Sequence, residues 1–176
     1  MQKIRTLPVN GFSLFELLIT LTIVTIVAQL VLPPLTLWQQ ENAIRHQAQR
    51  LVLFLKHAQQ LAISSNKSVY VPTYIEVNNR CALISYRPDC QCANQHGCVV
   101  LSGNKTQLFK PGPMLISTTY THNKPAAFQA LTGLSFGHAG SFVLKNGAFQ
   151  IKVVLNNLGR IRLCSLQQPV VAIKSC

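Results

Sequence analysis

The stretch GFSLFELLITLTIV, residues 11–24, decides the fold of this chain. It opens an apolar run from Phe12 to Trp38 in which Glu16 is the only charged residue. A charged side chain in a bilayer-spanning helix costs at least ~2.5 kcal/mol, so such residues usually have a function and a partner. The run therefore predicts a long apolar helix in which Glu16 pairs with a positive group.

A short basic leader precedes this run. Residues 1–11 contain Lys3 and Arg5 and no acid, which by the positive-inside rule keeps this end cytoplasmic and sends the rest of the chain across the membrane. The end of the apolar run lacks the small-residue cleavage site of a secretory signal. A cut between Gly11 and Phe12 would instead create an amine four residues from Glu16, and that amine is a suitable counter-charge.

The leader, Gly11, Phe12, Glu16 and the apolar helix resemble the N-terminus of type IV prepilins and type II secretion pseudopilins. The resemblance implies that a prepilin peptidase cuts after Gly11 and methylates Phe12 in the inner membrane. It also implies that Glu16 pairs with the terminal amine of a neighbouring pilin during filament assembly. Pro33 lies where such helices often kink, and Pro34 strengthens the predicted break. The alternative is a plain signal anchor in which the glutamate occurs by chance.

A second helical segment follows the prolines. Apolar residues recur at helical spacing from Ala43 to Ala62, which predicts one amphipathic helix over about 35–64. His46 and His57 fall on its polar side, where solvation explains them better than ligand binding.

The remainder alternates between strand-like runs and turn residues, which predicts an antiparallel β-domain. Asn146-Gly147 between two apolar runs is a strong hairpin signal, and the long loops are predicted at 88–98 and 120–131. The predicted strands are Ser68–Val77, Cys81–Arg87, Met114–Thr119, Gly133–Phe136, Phe142–Leu144, Ala148–Leu155 and Leu158–Cys164.

The resemblance to pilins implies an α+β fold, with a long N-terminal α-helix packed on a C-terminal antiparallel β-domain. The leader is then 1–11, the transmembrane and assembly half of the helix is 12–38, and its amphipathic half is 39–64. The β-domain is 65–176, and together with 39–64 it forms the globular part.

All six cysteines lie beyond the apolar run, which favours disulfides formed in an oxidising compartment such as the periplasm. Cys164 and Cys176 are the most natural pair. Closing a loop of about a dozen residues would contribute roughly 3 kcal/mol and tie the tail to the preceding strand. Two further bridges are possible among Cys81, Cys90, Cys92 and Cys98.

Zinc binding is the alternative for part of this cluster. Cys90, Cys92, His96 and Cys98 offer four soft ligands, but their spacing differs from the usual CxxC pairs and the compartment favours oxidation. We therefore predict no metal site and no cofactor.

Charge is the most unusual property of the β-domain. From Ser65 onward eleven Lys and Arg face two acids, so this segment carries a formal charge of +9, and no acid follows Asp89. Such a field attracts polyanions. Extracellular DNA, anionic lipid and surface polysaccharide are candidate ligands, and a basic exported protein without a specific ligand is the remaining possibility.

The segment Gly159-Arg160-Ile161-Arg162 is the sharpest candidate site. In a strand, residues two apart share one face, so Arg160 and Arg162 point together while Ile161 points the other way. Two neighbouring guanidinium groups form a phosphate clamp, and no local acid compensates them. Gly159 permits a tight turn or a close backbone approach.

This GRIR segment followed by Cys164 resembles the GRxR motif near the C-terminus of minor pilins of the FimT/GspH type, specifically the FimT-like members that bind DNA for uptake in natural transformation. The resemblance implies that Arg160 and Arg162 contact DNA, and that an extending and retracting pilus draws the DNA inward. We expect Gly159, Lys145, Lys152 and Lys174 to complete the DNA-binding surface.

The expected mode of binding is phosphate-directed and independent of sequence. Phe149 is the only aromatic residue near the motif along the chain, so base stacking is not predicted. The four acids offer no acid/base pair, and neither a nucleophile elbow nor a phosphate-binding glycine loop is present, so an enzyme is not predicted. The alternative function is a structural minor pilin or pseudopilin that primes or caps a filament tip.

Overall fold

The computed structural model describes residues 13–75, 80–90, 108–109, 114–121 and 123–176. Residues 30–34 and 108–109 are described by their backbone only. The chain divides into two compact units, Met1–Gln39 and Gln40–Cys176. The predicted leader, with its cleavage site at Gly11 and Phe12, lies outside the described residues.

One helix, α1, extends from Leu14 to Ser65. Ser13 caps its start, because the Ser13 hydroxyl accepts the backbone N–H of Glu16 at 3.2 Å. Serine followed three residues later by glutamate is the sequence pattern of a capping box. At the other end Asn66 has φ 55°, the left-handed conformation that commonly terminates helices.

Neither Pro33 nor Pro34 ends the helix, since α1 is helical through both residues, and the kink expected there stays a prediction. A proline removes one backbone hydrogen bond and crowds the preceding turn, but hydrogen bonds in the flanking turns maintain the helix. Among the described residues, no stretch of helix combines the length and the apolar character needed to cross a membrane.

In the second unit, α1 contributes one continuous stripe to the core. The stripe residues are separated by three or four positions and are fully buried, as expected for the apolar face of an amphipathic helix. Burying each large aliphatic side chain contributes about 1.5–3 kcal/mol. The stripe consists of Ile44, Ala48, Leu51, Leu55, Ala58 and Ala62.

Three antiparallel sheets surround this stripe in the described part of the chain. Their orders are β1-β6, β2-β3-β4 and β5-β7-β8-β9. The fold is therefore α+β, as predicted. The strands are β1 Val69–Val71, β2 Thr73–Ile75, β3 Arg80–Leu83, β4 Leu108–Phe109, β5 Leu115–Thr118, β6 Ala126–Phe128, β7 Gly140–Asn146, β8 Phe149–Leu155 and β9 Ile161–Ser165.

Strand β8 shows how the four-stranded sheet meets the core. Phe149, Ile151, Val153 and Leu155 are buried, and the residues between them are partly exposed. This alternation places one face of the sheet in the core and leaves the other open. The predicted hairpin is present, since β7 and β8 pair up to Asn146 and Phe149 across a turn that contains Gly147.

Two strand assignments in the middle of the domain are wrong. The segment 133–136 forms turns rather than a strand, because Leu131 and Gly133 both have positive φ values, 63° and 64°. Conversely, β6 lies in the segment predicted to be the 120–131 loop. Its three residues are all buried, so they lack the alternation that marks a half-exposed strand.

Candidate nucleic-acid interface

The candidate motif begins in the tight turn between β8 and β9. The N–H of Gly159 donates to the carbonyl of Asn156 at 3.0 Å, and the N–H of Asn156 donates to the carbonyl of Arg160 at 3.1 Å. The Asn156 side chain also accepts the N–H of Arg160 at 2.8 Å. These bonds, with Gly159 at φ 74°, describe a three-residue hairpin loop that ends in a left-handed glycine. The backbone of Arg160 is thus held at both its N–H and its carbonyl.

Gly159 is required at this turn for a second reason. It is buried, and a Cβ atom there would overlap the carbonyl oxygen of Gly133 and approach the side-chain amide of Gln59 to 2.6 Å. That amide donates to the carbonyl of Gly133 at 2.8 Å and to the carbonyl of Gly159 at 3.1 Å. Gln59 therefore fastens the turn to α1, and only glycine fits between them.

The two arginines point outward together. Arg160 and Arg162 are exposed, whereas Ile161 and Leu163 are partly buried and pack against the core. Arg160 directly precedes β9 and Arg162 is the second residue of that strand. Two extended residues advance the chain by about 6.6 Å, so the two side chains emerge near each other.

We call the solvent-facing side of the four-stranded sheet the outer face. In the register of β8 and β9, Arg162 lies opposite Val154, and Lys152 lies opposite Cys164. Arg162 and Lys152 are therefore diagonal neighbours, a separation of about 7–8 Å that long side chains can bridge. Arg160, Arg162 and Lys152 form one group at this end of the outer face.

The remaining predicted lysines lie farther along the sheet. Lys145 is exposed on β7 opposite Gln150, near the end of the sheet away from the β8–β9 turn. The carbonyl of Lys174 accepts the N–H of Ser165 at 2.8 Å, which places Lys174 beside the last residue of β9. These two lysines extend the basic surface but do not contact the arginine pair.

The acids of the second unit that the structure describes are engaged elsewhere. Glu41 accepts the N–H of Val171 at 2.7 Å, and Asp89 forms an ion pair with Arg87 at 2.8 Å. Within the described residues, Arg160, Arg162 and Lys152 form no ion pair with a carboxylate. The end of the outer face therefore carries three positive charges that no side-chain carboxylate among the described residues pairs with.

The C-terminal tail is fixed beside β9. Cys164 and Cys176 form the predicted disulfide, with a Cα–Cα distance of 4.9 Å. The N–H of Cys176 donates to the carbonyl of Ser165 at 2.9 Å, and Val170 is buried in the core. The disulfide joins the strand that carries Arg162 to a tail that is itself anchored on α1 through Glu41.

Cys81 and Cys90 are also disulfide-bonded, and both are buried. Cys90 is therefore not a thiolate, so the alternative zinc site lacks one of its four ligands in this structure. The other members of that cluster, Cys92, His96 and Cys98, lie outside the described residues.

The prediction about aromatic residues needs correction. Phe149 is buried and faces the core, whereas Phe136, predicted to end a strand, is 68% exposed in a loop that contacts the β8–β9 turn. The two glycines that precede and follow it, Gly133 and Gly137, are the sequence signal for a loop. Both have positive φ in the structure. The bonds between the loop of Phe136 and Asn157 of the β8–β9 turn are tertiary contacts without a local signal.

Comparisons of the chain with protein-family profiles, with curated proteins and with solved structures gave no match.

Proposed function

We propose that this chain is a pilin-like minor subunit of a type IV pilus that binds extracellular DNA through the outer face. The observation that carries the proposal is the exposed pair Arg160 and Arg162, which forms no ion pair within the described part of the chain. The hairpin that carries the pair is fixed, because both the N–H and the carbonyl of Arg160 are hydrogen-bonded to Asn156. Guanidinium groups bind phosphate strongly and in two-point geometry. Because such a site contacts the backbone of DNA, binding would be independent of sequence.

Salt dependence gives this proposal a quantitative form. Three to five cations that neutralise phosphates give a slope of log K against log salt of roughly −2.7 to −4.5 on duplex DNA. Affinity per subunit would be modest, and several subunits in one fibre would raise it by avidity.

The direct test is a gel-shift titration of the full chain, kept in a non-ionic detergent, with a duplex at low salt. The variant Arg160→Gln/Arg162→Gln should lose most of the shift. The matched control is Arg50→Gln/Lys56→Gln, which removes two exposed positive charges from α1 and should retain it. Equal binding by both double variants and the wild type would refute DNA capture at this face.

For the N-terminal unit, we propose cleavage after Gly11, methylation of Phe12, insertion in the inner membrane and then assembly into the pilus through Glu16. The supporting observation is that α1 exposes large apolar side chains from Leu14 to Val27. Such a surface is of the kind that packs in lipid or against neighbouring helices.

This apolar surface also favours the second candidate, a purely structural tip subunit of a pilus or of a type II secretion pseudopilus. Glu16→Ala should reduce incorporation into fibres, measured by immunoblotting of sheared filaments, while the second unit stays folded. Full incorporation would contradict pairing between Glu16 and a neighbouring amine. The structural candidate is preferred if fibres form normally but the gel shift described above is absent.

A further inference from the structure

An exposed aromatic side chain, Phe136, lies in a loop that is bonded to the turn preceding the arginine pair. The loop of residues 131–138 is bonded to the β8–β9 turn on both sides of Phe136: the N–H of Ser135 donates to the carbonyl of Asn157 at 3.0 Å, and the N–H of Gly137 donates to the Asn157 side chain at 3.3 Å. Phe136 therefore lies next to a turn residue only three positions before Arg160.

The loop is supported from below as well. Gln59 of α1 binds the carbonyls of Gly133 and Gly159 together, and the N–H of Leu131 donates to the carbonyl of Ala62 at 3.3 Å. Ser135 is buried. The backbone around Phe136 is thus fixed to the same framework that fixes the motif, although its ring is exposed.

Three apolar side chains are exposed on the two turns at this end of the domain, and one of them, Leu131, is 64% exposed. Phe136 is 68% exposed and Leu158, at the tip of the β8–β9 turn, is 72% exposed. An isolated exposed apolar residue needs no explanation, but these three occur on adjoining turns. One of those turns leads into Arg160 and Arg162, which form no ion pair among the described residues. A ligand that matches the surface must combine negative charge with a flat apolar surface.

Single-stranded nucleic acid has both properties. Its phosphates are anionic, and the faces of its unpaired bases can stack on aromatic side chains. In a duplex these base faces are covered by the neighbouring base pairs. We propose that this end of the domain binds single-stranded nucleic acid, with phosphates on Arg160 and Arg162 and an unpaired base stacked on Phe136. The inference rests on the proposed function and deepens it, because it states which form of DNA the same site favours.

Two substitutions separate stacking from charge. Binding of the full chain, in a non-ionic detergent, is measured by fluorescence anisotropy with an oligothymidylate of about 16 nucleotides and with a duplex of equal length. Phe136→Leu keeps an apolar side chain without the aromatic face and should weaken single-strand binding roughly 5- to 150-fold while duplex binding is unchanged. Phe136→Tyr, which retains the ring, should bind like the wild type.

The controls distinguish failure of this inference from failure of the proposed function. Val171→Ala removes part of an equally exposed apolar side chain in the tail and should bind both ligands normally. Arg160→Gln/Arg162→Gln should weaken both ligands. Stacking is overturned, and DNA capture stands, if the arginine variant binds both ligands weakly while Phe136→Leu binds both normally or weakens both equally. DNA capture itself fails if the arginine variant binds both ligands normally.

A spectroscopic readout tests stacking directly. Trp38 is the only tryptophan of the chain, so Trp38→Phe/Phe136→Trp places a single reporter at the proposed stacking position. Oligothymidylate should quench its emission, and the duplex should leave it nearly unchanged. Equal quenching with both ligands, or no quenching at all, overturns the inference. It is also overturned if Phe136→Leu removes self-association in sedimentation but keeps single-strand binding, since the apolar surface would then bind a protein partner.

Discussion

Two pairs of residues in this domain have the same spacing along the chain but differ in whether a carboxylate balances the charge of the arginine. Arg87 and Asp89 lie two positions apart and form two hydrogen bonds, Nε to Oδ1 at 3.1 Å and Nη2 to Oδ2 at 2.8 Å. The hydrogen bond and then the charge of Asp89 raise the pKa of Arg87. Arg160 and Arg162 have the same spacing, but no carboxylate among the described residues pairs with them.

The comparison shows that exposure alone does not make an arginine available to a ligand. The Arg87 and Asp89 side chains are 58% and 60% exposed, yet the guanidinium group already has a bidentate partner. A phosphate would have to displace Asp89 from Arg87, whereas at Arg160 and Arg162 it would displace no carboxylate of the described residues. Four variants test this contrast. Two change the framework that holds Arg160 and Arg162, and two change the charges.

The largest expected effect is that of Gly159→Ala. The positive φ costs about 1–2 kcal/mol for alanine, and overlap with the Gly133 carbonyl adds about 1–3 kcal/mol. The free energy of unfolding from denaturant titration should fall by both amounts. Gly137→Ala is the matched control, because Gly137 has φ 79° and open space around its Cβ position, so it should show the first cost only. Equal losses at both sites would mean that the turn is not tightly packed on α1.

Removing the tail disulfide should have the next largest effect. Cys164→Ser/Cys176→Ser opens a loop with a sequence separation of 12, and the free energy of unfolding should fall by roughly 3 kcal/mol. DNA binding below the unfolding temperature should change little, since β9 remains paired with β8 along its whole length. A large loss of DNA affinity in the folded variant would show that the tail itself belongs to the interface.

Arg162→Asp converts the second pair into a copy of the first. The new carboxylate should pair with Arg160, so that DNA affinity falls on the order of tenfold or more and the salt slope becomes shallower by about 1.8. Arg162→Gln, which removes one charge without adding an acid, should fall between this variant and the wild type. Identical affinities for the two variants would show that compensation by an acid is not what distinguishes the pairs.

The smallest expected effect is that of the reverse change, Asp89→Arg. It frees Arg87 and creates a second uncompensated pair, so DNA affinity should rise a few fold at low salt and return toward the wild-type value near 0.15 M, where the Debye length is about 8 Å. If this variant gains as much as Arg162→Asp loses, net charge rather than the outer face governs binding.

Much of the fold was predictable because its signals are local. The stripe from Ile44 to Ala62 follows helical periodicity, β8 alternates between buried and exposed residues, and Gly147 and Gly159 mark their turns. Cys164 and Cys176 were paired correctly, since they are near neighbours in sequence and separate from the other four cysteines. The predicted strand 158–164 began too early, since β9 starts at Ile161, but Arg160 and Arg162 are both exposed as expected.

The errors occur where a long-range contact overrides the local pattern. Residues 126–128 read as part of a loop, but pairing with β1 makes them a strand. Residues 133–136 read as a strand, but packing against Gln59 and the β8–β9 turn makes them a loop.

By itself, the sequence determined the secondary-structure types of the helix and the C-terminal hairpins, the excess of positive charge and the absence of acids after Asp89. Each of these is a property of composition or of residues a few positions apart. Only the tertiary structure decided that Phe149 is buried and that Phe136 is exposed in a loop bonded to the β8–β9 turn. That arrangement depends on the Gln59 amide, whose two hydrogen bonds join residues 74 and 100 positions apart, and no local pattern encodes a contact of that range.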